Sequence, residues 1–214
     1  MRKVFGEADG SYTDADAATE DIKKEALRSK RIRYVSTYNT AFLAERYPDQ
    51  TLLYKILKER NTTATAPEIK FLHLSPESRF TEIRAAELDD PPQYIRDGVI
   101  HALRTVRVVL QKLNLPATTV QVRHYDFLPI FRIVLFDGCA FIGFHKKGRM
   151  ARLSPMLHVR ADSELYGAFS RYFDTLWDHF SVDAVGSDEE RNRTKNGGEQ
   201  GGGTLRRWRG EVHR

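Results

Sequence analysis

The sequence predicts an α/β fold over residues 30–180: a mixed β-sheet with helices on both faces. Three observations predict it. Short runs rich in Val, Ile and Phe alternate with amphipathic helical segments through the first half of the chain. Asp137-Gly138 separates two apolar runs, a hairpin signal that adds antiparallel strands to a sheet begun by crossovers. Near the end, Leu165, Phe169, Tyr172, Phe173, Leu176, Trp177 and Phe180 fall at helical spacing, which makes a wide aromatic stripe suited to packing on a sheet.

The elements follow in order. Residues 32–37 (IRYVST) read as a strand. Residues 50–60 read as a helix with Leu52, Leu53, Ile56 and Leu57 on one face. Residues 69–74 (IKFLHL) form a second strand, bounded by Pro67 and by the turn at Ser75-Pro76. Ser78 is placed to cap a short helix over 78–88. After Pro91-Pro92, a longer helix over 93–113 carries Ile95, Val99, Leu103, Val106 and Leu110 at spacings of three and four. Residues 118–124, 131–136, 139–144 and 156–159 read as strands, and residues 162–180 as the last helix. Early strands that alternate with helices imply parallel pairing through crossovers.

The two ends differ from this body. Residues 1–12 show no clear period. Residues 13–30 predict a helix with Thr13 as N-cap, Asp16 three positions later, and a thin stripe of Ala18, Ile22 and Ala26. Such a helix suits either a cover for one edge of the domain or a connector to an upstream module. From residue 181 to 214, Gly, Asn, Glu and Arg dominate, too little apolar surface to offset the entropy of ordering. Three ranges result: residues 1–29 as N-terminal segment and connector helix, 30–180 as the domain, and 181–214 as a disordered Gly/Arg-rich tail.

Composition bounds the function. The 214 residues are 41% hydrophobic and 29% charged, ordinary for a globular protein. The single cysteine, Cys139, forms no internal disulfide and sits in an apolar run as a small core residue. No apolar stretch approaches a membrane span, and residues 1–16 turn acidic where a signal peptide turns apolar. A soluble, cytoplasmic protein is expected. The net charge of +5 comes partly from the tail, and mixed signs through the body favour a solvated surface over a polyanion groove.

One stretch carries a resemblance. Residues 129–144 read PIFRIVLFDGCAFIGF, and residues 163–177 carry Ser163, Leu165, Tyr166, Phe169, Tyr172, Phe173, Leu176 and Trp177. Strand, hairpin and aromatic helix together resemble one half of the phospholipase D superfamily, over roughly residues 30–180. Alignment on the hairpin places Asp137 on the Asp of that family's HxKxxxxD motif, Arg132 on its Lys and Ile130 on its His. Gly143 falls on the following Gly, Phe144 replaces a Ser and Lys146 an Asn. The resemblance implies a site assembled from two such motifs, in one chain or in a homodimer. There a His attacks phosphorus while the cation neutralises phosphate oxygens. Ile130 has no nucleophile to offer, whereas the planar fork of Arg132 still suits a phosphate.

The expected function is therefore a non-catalytic phospholipase D-like sensor or interaction module that binds a phosphate-bearing ligand. Its ligand residues are expected to be Arg132 and Asp137, together with those beyond the parallel strands: Tyr38, Asn39, Ser75, Glu77, Ser78, Arg79 and Arg84. Ser75 to Ser78 fit equally well a plain turn and helix cap. The alternative is a phosphodiesterase or phospholipase D-type enzyme acting as a homodimer, with His124, or His145 beside Lys147, as a non-standard nucleophile. A third reading is nucleic-acid binding through the tail and the basic loop at residues 146–152. His73, His101 and His158 read as structural. No Cys/His spacing suggests a metal and no Gly-rich phosphate loop suggests a nucleotide cofactor.

Overall fold

A computed structural model of the chain describes residues 8–38, 40–43, 45–60, 67–148 and 153–184. These fall in one compact unit ending at Ala184. The strands are β1 (Ala8–Tyr12), β2 (Arg31–Ser36), β3 (Glu68–Leu74), β4 (Val120–Tyr125), β5 (Phe131–Leu135), β6 (Cys139–Phe144), β7 (Met156–Arg160) and β8 (Ser181–Asp183). They form a single sheet in the order β1-β7-β6-β5-β2-β3-β4-β8. The β2–β3 and β3–β4 pairs are parallel, and the other pairs are antiparallel. The fold is thus α/β on a mixed sheet, as the alternation of early segments predicts.

Helices cover both faces. Strand alternation sends Ile32, Tyr34, Ile69, Phe71, Val120, Val122 and Val134 to one face. There they meet α1 (Thr19–Arg28), α2 (Thr40–Leu43), α3 (Leu52–Arg60) and α5 (Pro92–Lys112). The periodic stripe of α5 supplies Ala102, Leu103, Val106, Val109 and Leu110 to this core. The opposite face, with Val35, Leu72, Leu74, Ile133 and Ile142, meets α6 (Glu164–His179) through Phe173, Leu176 and Trp177. Phe80 of α4 (Arg79–Leu88) joins the same core. Toward its C-terminal end α6 lies over cations on the sheet: Lys70 and Arg123 approach the Trp177 ring at 5.4 and 4.9 Å, and Arg33 approaches Phe173 at 5.5 Å. Each is a cation–π contact.

Several boundaries differ from the sequence expectation, each for a tertiary reason. Residues 8–12, aperiodic by themselves, form an edge strand because β7 offers them a ladder. The predicted N-cap at Thr13 is not used: α1 starts at Thr19, and Asp14 Oδ1 accepts instead from the Ala17 N–H at 2.8 Å in the preceding turn. Ala15, Ala18, Ile22 and Ala26 are buried, so this segment is part of the core that the 30–180 interval left out. At the other end Ser181–Asp183 pair with β4 as β8 and Ala184 is fully buried, which corrects a tail drawn from residue 181. The rest of that tail, with its Arg206–Arg209 patch, lies outside the described residues.

The hairpin at Asp137-Gly138 forms, with Phe136 N–H donating to the Cys139 carbonyl at 2.8 Å, but neither turn residue has positive φ. Asp137 serves another purpose. Its carboxylate accepts from the Lys30 N–H at 2.5 Å, the Arg31 N–H at 3.3 Å and Arg31 Nε at 3.0 Å. It thereby ties the hairpin to the start of β2. These hydrogen bonds and the Arg31 charge hold its carboxyl below the usual carboxylate range against the opposing effect of burial. Cys139 is buried, and desolvation pushes its thiol up to about 12, so it is an inert core residue as its apolar setting predicts. Among the described residues no helix is long and apolar enough to cross a membrane.

Candidate functional site

The site is a polar row at the rim of an apolar sheet. On the α5 face, β2, β3 and β4 run parallel and in register, with Tyr34 beside Phe71 and Phe71 beside Val122. Two residues further along each strand, on the same face, come Ser36, His73 and His124, again as neighbours in register. Across β2 on its other side, Val35 pairs with Ile133 of β5. The next position on β5 toward this rim is Arg132. Arg132, Ser36, His73 and His124 thus cross four adjacent strands in one line, all buried. They stand at the C-terminal ends of the parallel strands, where open α/β sheets place their ligands.

Arg132 is 5% exposed. Its Nε donates to Tyr34 OH at 2.9 Å and its guanidinium carbon lies 5.8 Å from the centre of that ring. Among the described residues no carboxylate pairs with it. A buried guanidinium normally finds a compensating anion, because desolvation of the charge is costly. A second cation joins it. Arg84 of α4, 1% exposed, donates to Glu87 Oε2 at 2.7 Å and to the Lys146 carbonyl at 3.3 Å. His145, just beyond β6, is partly buried, and neither of its ring nitrogens has a hydrogen-bond partner among the described residues. Desolvation, with the Arg84 and Arg132 charges adding to it, lowers its pKa to about 3. The imidazole is therefore neutral and held near two guanidiniums.

His73 is fully buried, and neither of its ring nitrogens has a hydrogen-bond partner among the described residues. Its ring stacks on Phe71 with centroids 6.0 Å apart. Desolvation first, then the neighbouring His124, brings its pKa to about 3. The Ser36 hydroxyl, one strand away, is also buried without a hydrogen-bond partner among the described residues. Tyr38, at the end of β2, packs edge-on to Tyr94 at 6.5 Å, and burial pushes its phenol pKa up. Its ring closes on α5 at Gly98, where a Cβ would stand 3.2 Å from it.

The structure sorts the expected ligand residues. Arg132 and Arg84 belong to one charged cluster, and Tyr38 borders it; the Arg84 charge reaches both Tyr38 and His145. Asp137 does not belong: five residues of extended chain separate it from Arg132, roughly 17 Å at strand rise. Ser75 and Ser78 take the turn-and-cap role. The Ser78 N–H donates to the Ser75 carbonyl at 3.0 Å, and Ser78 Oγ accepts from the Phe80 N–H at 3.0 Å. Glu77 is exposed in that turn, its N–H donating to Ser75 Oγ at 3.3 Å. Arg79 is exposed and lies over Phe80 at 4.9 Å. Asn39 lies outside the described residues.

Of the histidine alternatives, His124 is buried in the row and His145 sits at the cluster, while Lys147 is exposed. Ile130, aligned with the family's His, is 55% exposed. Residues 149–152 of the basic loop lie outside the described residues.

Sequence reasoning set His73 aside as structural. The signal was present nonetheless. His73 shares the parity of Ile69 and Phe71, and His124 that of Val120 and Val122, so strand alternation puts both histidines on the buried face near strand ends. Among the described residues no group of three or more His, Cys, Asp or Glu side chains is arranged to hold a metal ion.

No family model matches the chain, and no curated protein matches it. Six chains of solved structures do. One is TrmBL2, an archaeal chromatin protein whose structure shows a novel mode of DNA binding. The match has 10% identity and a TM-score of 0.48, and covers 84% of this chain and 55% of that one. The chain thus spans about half the length of that protein, and a likeness this distant carries no argument about what the chain does.

Proposed function

We propose that this chain is a non-catalytic, phospholipase D-like binding module that holds a phosphate-bearing ligand at the rim where Arg132 lies. One observation carries the reading. Among the described residues, Arg132 is a buried guanidinium without a carboxylate partner, close enough to a neutral imidazole without a hydrogen-bond partner to depress its pKa. An anion would supply the missing counter-charge and accept from the guanidinium fork and from His145. The absence of a nucleophile at Ile130 supports binding over turnover.

The test is calorimetric titration of the full chain with phenyl phosphate and inorganic phosphate, beside Arg132→Gln and Arg132→Lys. Binding that falls at least tenfold in Arg132→Gln, with a smaller loss in Arg132→Lys, is the expected outcome. Equal affinity in all three proteins rejects the site.

A second reading is favoured by His145 itself. A neutral imidazole near two guanidiniums is chemically equipped to attack phosphorus, and in a homodimer a second copy would complete the site, as the resemblance implies. Hydrolysis of a generic phosphodiester that disappears in His145→Ala would establish this enzyme reading in place of the binding one. Absence of turnover at high protein concentration would leave binding as the function.

A further inference from the structure

Away from the polar row, α1, α2 and α3 leave a cavity of about 250 Å³ between them. On α1, Lys23, Lys24 and Leu27 fall at spacings of three and four and share one face, beside the buried stripe of Ile22 and Ala26. Across the cavity stand Phe42 of α2, and Leu52 and Lys55 of α3. Phe42 and Leu52 are buried, whereas Leu27 is 37% exposed. The cavity therefore has an apolar floor and an apolar wall that is still open. Its volume lies below the roughly 300–1,000 Å³ of sites for drug-sized molecules, so the occupant is smaller than these.

The charges at the rim sort into two kinds. Lys23 is engaged by Glu20 at 2.7 Å, and Lys24 by Asp21 at 3.3 Å. Lys55 and Glu45 also line the cavity, and neither has an ion-pair partner among the described residues. The rim thus offers one ammonium and one carboxylate that do not pair with each other. A simple anion would be attracted by Lys55 and opposed by Glu45, and a simple cation the reverse. A molecule that carries both charges satisfies both. The floor at Phe42 and Leu52 favours a hydrocarbon group on the same molecule, which it would remove from water.

We infer that this cavity is a second ligand site and that it takes a free amino acid with an apolar side chain. The carboxylate of the ligand faces Lys55 and its ammonium faces Glu45. Its side chain lies on Phe42 and Leu52 against Leu27. The inference goes beyond the anion reading at Arg132 and does not depend on it. Lys55 and Glu45 are exposed, so each rim contact is worth at most about fivefold in affinity.

The test is an NMR titration of the full chain with three probes, read at the backbone amides of Phe42 and Leu52. The probes are L-leucine, isocaproate, which lacks the ammonium, and isoamylamine, which lacks the carboxylate. L-leucine should shift both amides and bind about threefold to fivefold more tightly than either analogue. Glu45→Gln should abolish the advantage over isocaproate, and Lys55→Gln the advantage over isoamylamine. Both side chains are exposed, so neither substitution disturbs the core. If L-leucine leaves the two amides unmoved, the inference falls. It falls equally if either analogue binds as tightly as L-leucine, which would make the cavity a plain anion or cation site, or if both variants keep the full preference. None of these results touches the site at Arg132, which the phosphate titrations test separately.

Discussion

His73→Phe should make the protein more stable, and most visibly in mild acid. In the folded chain His73 is buried and its pKa is lowered to about 3, chiefly by desolvation. In the unfolded chain it titrates near 6.5. Below pH 6.5 the unfolded state therefore binds a proton that the folded state refuses. Stability is fully present above about pH 6.5 and is lost as pH falls toward the folded pKa. Each pH unit in that window is worth about 1.4 kcal/mol, so between pH 7.5 and 5.0 His73 alone removes about 2 kcal/mol. That figure depends only on the unfolded pKa, so long as the folded value lies below 5.

Phenylalanine keeps the stacking surface on Phe71 and discards both ring nitrogens. Urea unfolding at pH 7.5 and pH 5.0 measures the difference. The wild-type protein should lose about 2 kcal/mol more than the variant over this range. The carboxylates with lowered pKa, Asp21 and Asp137 among them, titrate below the window and do not contribute. Equal losses in the two proteins, to within about half a kcal/mol, would refute the placement of His73 as a buried, neutral and unpartnered group.

Two further outcomes test the scaffold. Ser78→Ala removes the hydroxyl that accepts from the Phe80 N–H at the start of α4, and should cost about 1 kcal/mol by urea unfolding. Tyr34→Phe removes the hydroxyl on which Arg132 relies, and should cost roughly 1.5–3 kcal/mol, the range for hydrogen bonds to charged groups. Adding Arg132→Met to Tyr34→Phe should recover most of that loss, because the stranded charge is then gone.

The central elements were legible because their signals are local. The stripe from Ile95 to Leu110 and the cap at Ser78 identify α5 and α4 without reference to the rest of the chain. What was not legible depends on partners far away in sequence. Residues 8–12 are mostly small, show no strand period by themselves, and become a strand because β7 lies beside them. Asp137 reads locally as a turn former, yet its carboxylate is engaged by Lys30 and Arg31, more than a hundred residues distant. The site divides in the same way. Arg132 could be picked out by its motif position, while His145 and His73 gain meaning only from the register that lines up four strands and from the burial that keeps both neutral.

The outermost strands of the sheet, β1 and β8, are short and come from the two ends of the described fold. Each covers a longer or more apolar neighbour: β1 lies on β7 and β8 on β4, whose Val120 and Val122 are buried. A fragment trimmed to residues 30–180 would lack both. It would present β7 and β4 as open ladders of unpaired N–H and C=O groups, which template pairing with other copies of the chain. β1 and β8 thus act as guards against aggregation, and a protein shortened to residues 30–180 would precipitate for reasons unrelated to its ligand.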